Sequence, residues 1–139
     1  MSSRRILIAD DEPIIIRMIE NNLRRAGLEI DVVAVLRSKE ILGRVRSEKP
    51  ELILLDSCMP KPHTGCVVIQ SLLADPLVAD IPILLIQVKH ATFVRECSRE
   101  ICCEKPQTVS ALAQIAKPFH PLQLVSLVKT LLTGGEQPR

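Results

Sequence analysis

Three aspartates and one lysine stand where apolar runs of the chain give way to polar sequence. Asp10 and Asp11 follow the run RRILIA, Asp56 follows LILL, and Lys117 follows ALAQIA. If these runs are parallel strands of one sheet, their carboxyl ends meet at one edge, where ligands bind in such folds. A carboxylate that ends a buried strand is costly unless something pairs with it, so the position of Asp56 requires a functional explanation.

The chemistry open to this set is transfer of a phosphoryl group to an aspartate. Crowded carboxylates repel one another, and a hard divalent cation such as Mg²⁺ relieves that repulsion through oxygen ligands. Asp56 would then stay ionised and could attack phosphorus to give an aspartyl-phosphate. The metal and the ammonium group of Lys117 would neutralise the phosphoryl oxygens.

Each of these residues also has a simpler explanation when it is taken alone. An aspartate after a strand is often a turn residue or a helix cap, and a single lysine is usually a surface residue. An Asp-Asp pair, a strand-terminal Asp and a Lys-Pro at three different strand ends are much harder to obtain by chance. The combination therefore favours the phosphoryl-transfer site.

Length and composition predict one domain with an aliphatic core. The chain has 139 residues and is 47% hydrophobic, with no Trp or Tyr and two Phe. Its net charge of +2 indicates neither direct nucleic acid binding nor an anionic membrane as a partner. The start MSSRRILIADDE is too short in apolar residues for a signal peptide, and no run is long enough to span a membrane, so we expect a cytoplasmic protein.

The cysteines do not form a recognisable metal or disulfide pattern. There are five: Cys58, Cys66, Cys97, Cys102 and Cys103. An odd count without a CxxC pair favours reduced thiols. The alternative is a metal or redox cluster of His90 with the last three cysteines, although their spacing fits no zinc pattern.

Apolar runs alternate with helical patterns along the whole chain. We predict strands over 4–11, 28–35, 51–56, 81–88 and 111–116, and helices over 12–27, 38–48, 65–75, 91–104 and 120–132. Five strands alternating with five helices, with strands apolar on both faces, favour an open parallel sheet covered by helices on both sides.

Local signals place the ends of the predicted helices. Pro13 suits a first helical turn and Gly27 the position just past a helix end. Ile15, Ile19 and Leu23 recur every four residues and predict the apolar face of the first helix. Ser38 is a capping candidate for the second.

Three segments resemble the receiver domains of two-component response regulators. ILIADDEP resembles the acidic opening of that family, LILLDSCMP with a following glycine its phosphoacceptor segment, and AKPF its lysine segment. The resemblance covers residues 4–133 and leaves 134–139 as a disordered C-terminal tail. It implies an α/β, flavodoxin-like, doubly wound fold, (βα)5, with five parallel strands in the order 2-1-3-4-5.

The resemblance also implies a role for each site residue. Asp56 is the phosphoacceptor, and Lys117 contacts the phosphoryl group. Mg²⁺ is bound by the side chains of Asp11 and Asp56, by the backbone carbonyl of Cys58, and by Asp10 through a metal-bound water. The phosphoryl donor is a sensor histidine kinase or a phosphotransfer protein, and the output is docking to a further protein.

Several residues depart from the family pattern. Gln87 replaces the usual Ser or Thr at the end of strand four, where its amide can still donate to the phosphoryl group, and Gln114 replaces the usual aromatic residue in strand five. The loop KPHT is one residue longer than usual, and the segment from Gln87 to Lys117 is about eight residues longer. We therefore expect intact phosphorylation chemistry with a weaker conformational switch.

Two other functions compete with this prediction. A pseudo-receiver would bind partners without phosphate; the two glutamines favour it and the complete acidic set opposes it. A phosphatase that uses an aspartate nucleophile is weaker, because no second acid follows two residues after Asp56 to protonate a leaving group.

Overall fold

A five-stranded parallel sheet forms the centre of the molecule in a computed structural model, which describes residues 3–56, 64–88, 112–117 and 119–133. The strands are β1 (Arg4–Ala9), β2 (Ile30–Val35), β3 (Leu52–Asp56), β4 (Ile83–Val88) and β5 (Leu112–Lys117). Their order is β2-β1-β3-β4-β5, and every neighbouring pair is parallel. The predicted doubly wound fold and strand order are confirmed.

Helices cover both faces of this sheet. They are α1 (Pro13–Arg25), a short 3-10 helix (Ser38–Glu40), α2 (Ile41–Glu48), α3 (Thr64–Ala74) and the final helix (Pro121–Leu132). The helix predicted over 91–104 and the tail 134–139 lie outside the described residues. Among the helices described, none is long and apolar enough to cross a bilayer.

Most of the features that the sequence predicts for α1 are present in the structure. Pro13 is its first residue, where its missing N–H needs no partner. Gly27 follows the helix with φ +90°, a conformation open to glycine at little cost. The buried face consists of Ile16, Ile19 and Leu23, whereas the predicted Ile15 is only half-buried. The buried face of α1 therefore differs from the predicted face at one position, where Ile16 rather than Ile15 packs on the sheet.

Ser38 does not cap a helix. It is the first residue of the 3-10 helix, whose preceding residue Arg37 provides no side-chain cap. At the other end of α2, Lys49 adopts the left-handed conformation, with φ 46° and ψ 61°, and its N–H donates to the carbonyl of Val45 at 2.9 Å. A lysine therefore occupies a helix-end position where glycine is usual.

Two aliphatic clusters lie on opposite faces of the sheet. On one face, residues of β1 such as Leu7 pack with α2 and α3. On the other, its neighbours Ile6 and Ile8 pack with α1 and the final helix. Because successive strand residues point to opposite faces, continuous apolar strands such as β3 supply both clusters.

An arginine at the start of β1 contacts the end of the final helix. Arg4 donates a guanidinium hydrogen to the carbonyl of Leu132 at 2.6 Å and pairs with Glu51 at 3.7 Å. The neighbouring Arg5 binds Asp31 of β2 at 3.1 Å. These contacts lie at the amino end of the strands, at the opposite edge of the sheet from Asp10, Asp11 and Asp56.

Candidate functional site

Three aspartates converge at the carboxyl ends of β1 and β3. The two strands pair directly, with Ala9 opposite Leu55, so Asp10 and Asp11 follow β1 beside Asp56, the last residue of β3. One carboxylate oxygen from each of the three residues lies within 4.8 Å of the other two. The structure therefore brings together the acidic set that the sequence indicates.

The three carboxylates differ in exposure. Asp10 and Asp56 are almost fully buried, at 1% and 3% relative exposure, whereas Asp11 is exposed. Both buried carboxylates have polar partners, as buried charges require. Access from solvent is therefore on the side of Asp11.

Backbone groups of two elements hold Asp10 in position. Its own N–H donates to the carbonyl of Val35 at the end of β2, at 3.1 Å. Its Oδ1 accepts the N–H of Glu12 at 2.9 Å, and Glu12 is the residue that precedes α1. One oxygen of Asp10 is thus already engaged by the start of α1.

The hydrogen bond between the Glu12 N–H and Asp10 was not predicted from the sequence, although the sequence contains a signal for it. An Asp side chain commonly accepts the N–H two residues later, which forms a turn before a helix. The spacing of Asp10 and Glu12 ahead of Pro13 fits that signal.

The ends of β4 and β5 lie at the same edge of the sheet. In their register, Gln87 pairs with Ala116 and Val88 with Lys117, which is the last residue of β5. Gln114 pairs with Leu85 further from this edge. Only the backbone positions of Gln87, Gln114 and Lys117 belong to the described part of the chain.

Five predicted candidates lie outside the described residues. They are Cys58, His90, Cys97, Cys102 and Cys103. The proposed carbonyl ligand at position 58 and the alternative metal or redox cluster therefore stay predictions.

The oxygen atoms of the acidic site suit a hard divalent cation. Three carboxylates within 4.8 Å offer only oxygen donors, as Mg²⁺, Mn²⁺ or Ca²⁺ prefer. Two of the three are buried, so their negative charges lie where the dielectric screening of water is weakest. The residues present thus fit a divalent metal, and one such ion would offset this concentrated charge.

Comparison with known proteins identifies the family to which this fold belongs. The sequence model of the response regulator receiver domain family matches residues 6–129 of this chain. The alkaline phosphatase synthesis transcriptional regulatory protein PhoP of Bacillus subtilis is 31% identical over 134 residues, which are 96% of this chain and 50% of that protein. The phosphate regulon transcriptional regulatory protein PhoB of Pseudomonas aeruginosa is 33% identical, over 95% of this chain and 53% of that protein. The chain thus spans about half the length of these curated relatives.

Solved structures agree on the fold. A response regulator receiver domain protein of Methanospirillum hungatei superposes with a TM-score of 0.73 at 23% identity, and covers 96% of each chain. The chemotaxis response regulator CheY4 of Vibrio cholerae gives a TM-score of 0.70 at 23% identity, over 94% of this chain and 99% of that one. At these identities the similarity is evidence for the fold alone.

Proposed function

This chain belongs to the response regulator receiver domain family, and we propose that it accepts a phosphoryl group on Asp56. The donor is a sensor histidine kinase or a phosphotransfer protein. The observation that supports this function is the buried Asp56 carboxylate, which has an oxygen within 4.8 Å of an oxygen of Asp10 and an oxygen of Asp11.

Mg²⁺ would be held by the side chains of Asp11 and Asp56, by the Cys58 carbonyl, and by Asp10 through a water. When bound, the ion supplies positive charge that offsets the three carboxylates and the phosphoryl oxygens. The exposed Asp11 is open to an arriving ion, whereas Asp10 is fixed by the Glu12 N–H at 2.9 Å.

The transfer itself is a displacement at phosphorus. An Asp56 oxygen forms a bond to the phosphorus of a phosphohistidine, and the P–N bond breaks with its electron pair going to the imidazole. The ammonium group of Lys117 and the side-chain amide of Gln87 donate hydrogen bonds to the phosphoryl oxygens. The product is an acyl phosphate on Asp56 and a free histidine on the donor.

Intact mass after incubation with Mg²⁺ and a small phosphodonor such as phosphoramidate tests this function. We expect a gain of one phosphoryl group in the wild type and none in Asp56→Asn. Asp75→Asn is the matched control, because Asp75 is also buried but lies at the end of α3, outside the site. A wild-type protein that stays unmodified while it binds Mg²⁺ would contradict phosphoacceptance.

That contradictory result is what the second candidate function predicts. A pseudo-receiver would use the same fold to bind partners without phosphate, and the glutamines at 87 and 114 in β4 and β5 favour it. In either case we propose a cytoplasmic protein that signals by docking to another protein, without direct contact to nucleic acid or membrane.

A further inference from the structure

An arginine follows β2 at the edge of the sheet that carries the acidic site. β1 and β2 pair with Ala9 opposite Val35, and the Asp10 N–H continues this pairing by donating to the Val35 carbonyl at 3.1 Å. Asp11 and Arg37 each stand two residues beyond that last pair. The backbone of Arg37 is still extended, with φ −127° and ψ 130°, so the chain leaves β2 along the direction of the strand.

Positions 11 and 37 also fall on the same face of the sheet. Ala9 and Val35 both pack in the cluster that β1 forms with α2 and α3. Because successive residues of an extended chain alternate between the two faces, the positions two residues further on belong to the same side. Asp11 and Arg37 are both exposed, so this arginine lies on the side from which solvent reaches the acidic site.

The guanidinium group of Arg37 has no ion-pair partner among the described residues. The arginines of β1 and α2, in contrast, all pair with carboxylates. Lys39 and Glu40, which follow Arg37 in the 3-10 helix, carry opposite charges and leave the positive charge of Arg37 uncompensated. A guanidinium presents a planar fork of N–H donors that fits two oxygens of a phosphoryl group.

The acidic site repels the phosphoryl donor that the proposed function requires. Its three carboxylates, two of them buried, concentrate negative charge where an anionic phosphoryl group must arrive. Lys117 ends β5, on the side of the site toward β4 and β5. On the other side the sheet continues from β1 to β2, and Arg37 is the first cation after β2.

We propose that Arg37 recruits the dianionic phosphoryl group of the donor at the open side of the acidic site. Its charge attracts the anion, and its fork of N–H donors holds two phosphoryl oxygens while the donor approaches Asp56. This role rests on the proposed function and adds a residue to which the family resemblance gives no part. The same positive charge opposes the binding of Mg²⁺, because like charges repel.

The rate constant for phosphorylation by acetyl phosphate, followed by intact mass at saturating Mg²⁺, tests this role. Arg37→Gln should lower it about two- to fivefold, the size of an exposed charge interaction. Arg25→Gln is the matched control, because Arg25 is also exposed but ends α1 at the opposite edge of the sheet. A rate constant in Arg37→Gln equal to or above that of the wild type, or an equal loss in Arg25→Gln, would overturn the proposal.

The charge of the donor separates recruitment from a structural effect of the substitution. Phosphoramidate carries less negative charge than acetyl phosphate at neutral pH, so its rate constant should fall less in Arg37→Gln. The loss with acetyl phosphate should also shrink at about 1 M salt, where the Debye length is about 3 Å. A loss that is the same for both donors and at both salt concentrations would contradict recruitment by charge.

Titration of Mg²⁺ by calorimetry tests Arg37 without any phosphorylation. Arg37→Gln should tighten Mg²⁺ binding about two- to fivefold and Arg37→Glu should tighten it further, whereas Arg25→Glu should leave it unchanged. A wild type that binds Mg²⁺ but is never phosphorylated would overturn the proposed function and recruitment with it. Equal Mg²⁺ affinities in the wild type and Arg37→Glu, with normal phosphorylation, would overturn the role of Arg37 alone.

Discussion

Arg46 of α2 donates its Nε–H to Oδ2 of Asp75 at 2.6 Å, and so joins α2 to the turn that follows α3. The carboxylate is buried although the arginine is half-exposed. Its second oxygen accepts the N–H of Leu77, and its own N–H donates to the carbonyl of Leu72. Through its side chain and its backbone, Asp75 therefore connects α2, the end of α3 and the turn toward β4.

This pair predicts how stability falls in acid. The hydrogen bond from Arg46, followed by that from the Leu77 N–H, holds the pKa of Asp75 below its usual value. A lowered folded-state pKa contributes stability that is present above the unfolded pKa, near 3.9, and is lost as pH falls through the folded pKa. We expect Asp75→Asn to melt several degrees below the wild type at pH 7, with a gap that narrows in acid below about pH 4. Asp80→Asn, at an exposed position, should melt at the same temperature as the wild type. A difference in melting temperature between Asp75→Asn and the wild type that did not change with pH would contradict the role of the Asp75 ionisation.

Mg²⁺ should raise the melting temperature through Asp11 and Asp56. A ligand at ten times its Kd stabilises the folded state by about 1.4 kcal/mol. Asp11→Ala should abolish that shift and, without metal, should melt higher than the wild type, because one of three mutually repelling carboxylates is gone. Glu12→Ala removes the adjacent exposed carboxylate and should keep the shift. An equal Mg²⁺ shift in Asp11→Ala would argue against this metal site.

The start of the final helix depends on His120. Its Nδ1 accepts the N–H of Leu122 at 3.1 Å, the contact that a Ser or Asp cap usually makes. His120→Ala should lower the free energy of unfolding by about 1 kcal/mol, and His120→Ser should preserve it. Urea denaturation of the three proteins measures this difference. Equal midpoints for Ala and Ser would show that the cap contributes nothing.

The left-handed Lys49 is a site for stabilisation. A side chain in this conformation costs about 1 kcal/mol relative to glycine, so Lys49→Gly should stabilise the fold by up to that amount. The same change at Lys129, inside the final helix, should destabilise it by about 1 kcal/mol. Melting curves of the two variants should therefore shift in opposite directions.

The sheet could be predicted because its signals are local. Runs such as LILL in β3 are buried on both faces, and that burial produces the continuous apolar pattern of a parallel strand. The position of Asp56 after such a run also placed it beside Asp10 and Asp11 once the strands were paired. The residue types of the apolar runs and the residues that follow them were sufficient to predict this part of the site.

The features that were missed depend on packing over long distances. The Arg46–Asp75 pair joins residues 29 apart in the chain, and no local pattern indicates it. Ile16 rather than Ile15 faces the core because the packing of α1 on the sheet sets the rotation of the helix. Ser38 is a favourable cap by residue type, yet the chain enters α2 through a 3-10 turn instead.

The hydrogen bond between Arg4 and the Leu132 carbonyl has a practical consequence for protein engineering. It brings the beginning of β1 and the end of the final helix within the reach of one side chain. A domain whose first strand starts where its last helix stops can be inserted between two residues of a host loop without stretching that loop. The same geometry allows the two points to be joined by a short linker and the chain to be reopened elsewhere, which makes this fold a suitable module for a circularly permuted sensor.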